Sequence, residues 1–170
     1  MKDNGLRKAL LLVGFALFFA PAMAQTDSHV VTVEVEANKM WQNVRSGGDG
    51  SDYTQMTDNR RPDKPGRGPA LKEFESVVAP GGKLTWEFKI IGPEKVVQIV
   101  DFSFDPQVGE NFFMQEGGIL PRAMPDGTYQ GQVSPQAKPG DRLKYSVVVL
   151  IDGKQFIVDP VVVVGEGGGQ

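Results

Sequence analysis

PGDRLKYSVVVLIDGKQFIVDPVVVV, residues 139–164, is the stretch whose reading decides the fold. Leu143, Tyr145, Val147 and Val149 alternate with Arg142, Lys144 and Ser146. A period of two is that of a strand with one face buried. Asp152-Gly153 follows, a two-residue turn signal, because both central positions of a type I′ turn need positive φ. With Ile151 opposite Lys154, the returning Phe156 and Val158 fall opposite Val149 and Val147, so both strands turn their apolar residues to one face. Asp159-Pro160 then interrupts the ladder, since proline has no N–H to donate. Val161 to Val164 complete the strand.

Upstream, the same period recurs. Val31, Val33 and Val35 alternate with Thr32, Glu34 and Glu36. Phe74, Ser76 and Val78 share a face, and Ala79-Pro80-Gly81-Gly82 turns the chain into Leu84, Trp86, Phe88 and Ile90, predicted inward. Val96 to Phe104 is apolar on both faces, which predicts a central strand or one lying against long loops. Gly127 to Val133 places Tyr129 and Val133 inward. A short extended piece is expected over Met40 to Val44, and no helix is predicted beyond a turn near Glu110 to Gln115. Seven or eight short strands separated by Gly and Pro predict an all-β, antiparallel two-sheet Greek-key sandwich.

Two segments break the pattern. Residues 42–72 are polar, with Ser46-Gly-Gly-Asp-Gly-Ser-Asp52 and the proline-rich, basic Arg60 to Pro69. Few apolar groups offset ordering entropy there, so a long polar loop is expected. Residues 105–126 form a second loop, apolar rather than polar.

The first 24 residues carry Lys2, Arg7 and Lys8, an apolar run from Ala9 to Ala20, and Ala22-Met23-Ala24. That is the layout of a secretory signal peptide cleaved near Ala24. The apolar run is shorter than the ~20 residues a membrane span needs. A single domain over 25–170, periplasmic or secreted, is the expectation. Without Lys2, Asp3, Arg7 and Lys8, the 18 basic and 21 acidic residues become 15 and 20, a net charge of −5, which argues against nucleic-acid binding. The chain has no cysteine, so its core alone must hold it.

Val78-Ala-Pro-Gly-Gly-Lys-Leu-Thr-Trp86-Glu-Phe and Ala137-Lys-Pro-Gly-Asp-Arg-Leu-Lys-Tyr145-Ser-Val resemble the Pro-Gly entries into cupredoxin strands. The likeness covers roughly Phe74 to Val164 without the 105–126 connection. Immunoglobulin-like domains share these patterns: Asp141 and Tyr145 look like a tyrosine corner, and Trp86 like a core tryptophan. The resemblance implies a cupredoxin-like or immunoglobulin-like sandwich. It does not carry over copper chemistry. A type 1 site needs a cysteine thiolate and two histidines, whereas Val147 stands near the thiolate position and His29 is the one histidine.

No catalytic constellation emerges. His29 has no partner near it in sequence, and no Gly-x-Ser-x-Gly is present. Met40, Met56, Met114 and Met124 lack Met-x-x-Met spacing for Cu(I), and methionine more often fills cores. Asp49, Asp52 and Asp58, with Ser51 and Asn59, do not match an EF-hand loop. No cofactor or metal is expected. The apolar loop carries Phe112, Phe113, Met114, Ile119, Leu120 and Met124. Such a loop either plugs the end of the core or meets a partner. Arg60, Arg61, Lys64 and Arg67 reverse the local sign of an acidic protein and would orient an anionic partner. The expected function is an exported, non-catalytic binding or accessory protein that contacts a protein partner through loops. Two alternatives are a carrier or sensor of a metal ion or small ligand, and a hydrolase.

Overall fold

The computed structural model describes residues 28–92 and 95–165. The signal-peptide reading of 1–24 lies outside the described residues. In chain order the strands are β1 (Ser28–Glu36), β2 (Gly48–Asp49), β3 (Thr54–Asp58), β4 (Gly66–Arg67), β5 (Glu75–Val78), β6 (Lys83–Ile91), β7 (Val97–Val108), β8 (Ile119–Ala123), β9 (Tyr129–Gln132), β10 (Arg142–Ile151), β11 (Lys154–Val158) and β12 (Val161–Val164). One short helix, α1 (Ala37–Asn43), joins β1 to β2, and 3-10 turns occupy Ser51–Tyr53 and Gly68–Glu73. Among these residues no helix is long and apolar enough to cross a membrane.

The strands form two six-stranded sheets. The first runs β4-β3-β1-β6-β9-β8. The second runs β2-β11-β10-β12-β5, with β7 on the other side of β10. The result is a two-sheet, sandwich-like all-β fold. It departs from expectation in being mixed, with twelve strands instead of seven or eight: β1 and β6, β11 and β2, and β12 and β5 pair in parallel. The extra strands are mostly two- to five-residue pieces in stretches too polar or too short to show a period of two.

The 139–164 hairpin forms as read. Ile151 pairs with Lys154, Val149 with Phe156 and Val147 with Val158. Asp152 and Gly153 both have positive φ, 43° and 82°. The ladder breaks at Asp159-Pro160, where Tyr145 N–H bonds to the Pro160 carbonyl at 3.0 Å. Asp159 fills the gap by accepting from the Ser146 hydroxyl and pairing with Lys144 at 3.3 Å.

The core joins the two sheets through aromatic rings. Trp86 of β6 packs edge-on to Tyr145 of β10 at 5.6 Å. Its indole N–H donates to the Tyr145 hydroxyl at 2.8 Å. The tyrosine-corner reading of Tyr145 is therefore replaced by an inter-sheet hydrogen bond, which satisfies a donor that burial would otherwise strand.

Residues 42–72 are not one long loop. Thr54, Met56 and Asp58 alternate as the buried face of β3, which pairs with β1 from Val35↔Thr54 to Val31↔Asp58. Leu71 and Phe74 are buried in the same core. Burial of the polar members is supported by local hydrogen bonds: the Thr54 hydroxyl donates to the Gly50 carbonyl, and Asp58 Oδ1 accepts from Arg60 N–H. The extended piece expected at Met40 to Val44 is instead part of α1 and its cap. Ala37 and Met40, three apart, bury one helix face. Near Glu110 to Gln115 there is a turn and no helix.

Candidate binding face

Strand β7, expected to be central or to lie against long loops, is an edge of the second sheet. It pairs with β10 over its whole length, and no described strand pairs with its other side. Ile99, Phe102 and Phe104 pack inward. Register shifts set Val100 and Gln107 out of the ladder. These are β-bulges, which twist an edge and re-aim its side chains. They explain why the sequence is apolar on both faces: Val100 is displaced outward and exposed. The expectation that Ile90 points inward also fails. β6 runs past the end of β9, whose pairing stops at Trp86↔Tyr129, and Ile90 is left exposed.

β7 lies over β9, the neighbour of β8. Phe102 meets Tyr129 at 5.1 Å, and the Tyr129 hydroxyl donates to the Ile99 carbonyl at 2.8 Å. β8 is the last strand of the first sheet, so both sheets end in an edge on the same flank.

The connection between β7 and β8 divides the apolar candidates. Phe112 and Phe113 are 0% and 1% exposed, which removes them as contact residues. Phe113 packs on Phe104 at 5.5 Å and on Phe112 at 5.0 Å. The turn is held by Asn111, whose side chain accepts from Phe113 N–H, and by Ser134, whose N–H bonds to the Phe112 carbonyl. The loop is thus a plug at its start. Its remainder faces out: Met114 is 70% exposed, Ile119 41% and Leu120 43%. Met124 is half-buried at the β8–β9 turn, where its N–H bonds to the Thr128 carbonyl. Pro121 sits within β8, as befits an edge strand.

The basic candidates lie on the opposite flank, around the link from β3 to β4. Arg67 pairs with Glu36 at 2.7 Å. Lys39, and then Arg67, hold the Glu36 carboxyl below the usual carboxylate range. Arg61 and Lys64 line a small cleft of about 200 Å³ together with Asp58, Glu73 and Glu75. Arg60 stands exposed beside it. Cations and carboxylates are therefore interspersed here, and four lone cations are not what the fold presents.

The other candidates separate. Met40 and Met56 are core side chains, whereas Met114 projects to solvent. Asp49 bonds Ser51 N–H and pairs with Lys72, while Asp58 is on the buried face of β3. Among the described residues no group of three or more His, Cys, Asp or Glu is placed to hold a metal ion. His29 lies in β1, with its backbone opposite Leu84. Burial raises the Tyr145 phenol far above its ordinary range, which suits a structural hydroxyl and not a general base. One cluster had no sequence signal: the Trp41 ring lies within 4.2 Å of the Lys95 ammonium and 3.9 Å of that of Lys154. Lys95 also pairs with Asp152 at 2.7 Å, so the cluster ties α1 to the hairpin turn.

No protein-family model matches the sequence, and no curated protein matches it. Among solved structures the chain is similar to PixA, an inclusion body protein from Burkholderia cenocepacia J2315. The TM-score is 0.51 at 11% identity, over 86% of this chain and 99% of that one. At that identity the likeness concerns the fold: two facing β-sheets built over nearly the whole described chain.

Proposed function

We propose that this is a non-catalytic binding protein that engages a protein partner through the flank formed by β7 and β8. The observation that carries the reading is the exposure of Met114, Ile119 and Leu120 beside two sheet edges. Unpaired edges offer backbone donors and acceptors to a partner, and apolar side chains beside them favour burial. That a solved structure of similar fold is an inclusion body protein supports the non-catalytic reading. Export to the periplasm or beyond, from the first 24 residues, is part of the proposal. So is a cupredoxin-like or immunoglobulin-like affiliation for the half from Phe74 to Val164.

Photo-crosslinking side chains placed at positions 114 and 120 test this in the cells that make the protein. Protein adducts are expected from both positions and not from position 52 near the other flank, and Leu120→Asp should abolish those from 114. Adducts from position 52 alone, or none at all, would remove the β7–β8 flank from the account.

A further inference from the structure

We infer that the end of the sandwich formed by α1, the β6–β7 link and the β10–β11 turn is a tip that seats on an anionic lipid bilayer. The inference goes beyond the binding reading above, which concerns another part of the molecule. Ile119 of β8 and Lys83 of β6 both pair with Gln132, so the β8 apolar residues begin at the opposite end of β6 from Ile91.

Three segments meet at the tip. β1 and β6 run in parallel, so Glu36 and Ile91 end level, and α1 starts at once. The Trp41 ring of α1 has the Lys95 ammonium 4.2 Å from its centre and that of Lys154 3.9 Å from it. The Lys154 ammonium also donates to the Trp41 carbonyl at 3.2 Å. Val96 and Asp152 exchange hydrogen bonds: Val96 N–H donates to the Asp152 carboxylate at 3.1 Å, and Asp152 N–H to the Val96 carbonyl at 3.2 Å. Residues distant in sequence are thus tied into one surface.

Its apolar part is exposed on both faces of a strand. Ile90 and Ile91 are 38% and 48% exposed, and Val96 across the link is 65% exposed. Successive residues of a strand point to opposite faces, so the two isoleucines leave the sheet in opposite directions and neither is covered. A protein docking on a sheet covers one face of such an end, whereas the headgroup layer of a bilayer surrounds it. β6 keeps its pairing with β1 here, and at headgroup depth water still reaches the other side of the backbone.

The polar part carries the matching charge. Segments 37–45, 89–96 and 152–154 hold Lys39, Arg45, Lys89, Lys95 and Lys154 against Asp152 and, in sequence, Glu94. Including Glu34, opposite Lys89, and Glu36 with its partner Arg67 leaves six cations to four carboxylates. The whole chain has 21 acids and 18 bases, so the excess of cations is local. Lysines beside aliphatic side chains lay their stems along the apolar surface and hold their ammonium groups in the polar layer. A tryptophan between them suits the same depth.

Co-sedimentation of the protein, purified as its cells produce it, with lipid vesicles tests this. Trp41 and Trp86 are the two tryptophans, and Trp86 is fully buried, so a blue shift of fluorescence on adding vesicles reports Trp41. Expected is binding to mixed phosphatidylglycerol and phosphatidylcholine vesicles, with a blue shift and with weakening by salt, and much weaker binding to phosphatidylcholine alone. Trp41→Phe should lose the shift and still bind. Lys89→Gln/Lys154→Gln should weaken binding to the mixed vesicles about twentyfold, at roughly fivefold per lysine. Ile91→Ser/Val96→Ser should lose the blue shift and the binding that survives high salt. Far-UV circular dichroism checks that each variant folds, and Lys89→Gln alone, expected to weaken binding about fivefold, replaces the lysine pair if that pair does not. No binding to the mixed vesicles, or binding unchanged in both double variants, would overturn the inference. So would protein adducts in place of lipid adducts from a photo-crosslinking side chain at position 96, which would make the tip a protein site. Crosslinks from positions 114 and 120 are read separately, so each reading can fail while the other stands.

Discussion

The flank at β3 and β4 and the flank at β7 and β8 end their sheets by different means. At β3 and β4 the strands shorten to five and two residues. A 3-10 turn then folds over them with Leu71 and Phe74 in the core. Charged side chains pair locally, Arg67 with Glu36 and Lys72 with Asp49. At β7 and β8 a twelve-residue strand is left with one side unpaired, and the apolar residues next to it stay in solvent. Short strands and covering turns are a common way to blunt an edge. Their use on one flank alone marks the other as the place where something docks.

Substitutions break or sharpen that contrast in order of size. Phe113→Ala should cost about 3–5 kcal/mol in urea unfolding, the value for a large buried ring. A cost near zero would return Phe113 to the surface and the plug to a loop. Met56→Ala and Leu71→Ala should each cost about 2–5 kcal/mol. Either one behaving as a surface change, within about 0.5 kcal/mol, would make residues 42–72 the loose loop that their composition suggests.

Tyr145→Phe should cost about 1–3 kcal/mol, because the buried Trp86 N–H loses its acceptor. The same residue sets an alkaline limit. Burial lifts its folded-state pKa above the unfolded value, so the folded state keeps the proton longer. Its contribution is fully present below about pH 10 and is lost as pH rises further. Unfolding curves across alkaline pH should show that decline in wild type and a shallower one in Tyr145→Phe; identical slopes would mean that the phenol is not buried. Smallest is Leu120→Asp, within about 0.5 kcal/mol of wild type in stability while losing the crosslinks from position 114. A large destabilisation would place Leu120 in the core and not on the binding flank.

How much of this was legible depended on how local the determinants are. The 139–164 hairpin was readable to the register because its turn chemistry and alternation are contained in the segment. β3 was hidden because two of its three buried positions, Thr54 and Asp58, are polar and are satisfied by Gly50 and Arg60 backbone groups that a pattern of apolar residues cannot reveal. α1 was missed because seven residues carry too few turns to show a helical period. The edge position of β7 was obscured by a bulge, which breaks the alternation at Val100. Within the candidate site, the apolar character of 105–126 was visible. Its division into buried Phe112 and Phe113 and exposed Met114, Ile119 and Leu120 was not, since it depends on Trp86, Phe104 and Ser134 from other strands.

Amide hydrogen exchange, read along the purified chain alone and with the partner recovered by crosslinking from positions 114 and 120, tests most directly that the flank at β3 is structural and the flank at β7 and β8 binds. Expected is slow exchange across Thr54–Asp58 in both samples, with faster exchange in Val97–Val108 and Ile119–Ala123 that slows when the partner is added. Fast exchange in Thr54–Asp58, or β7 and β8 amides indifferent to the partner, would contradict it.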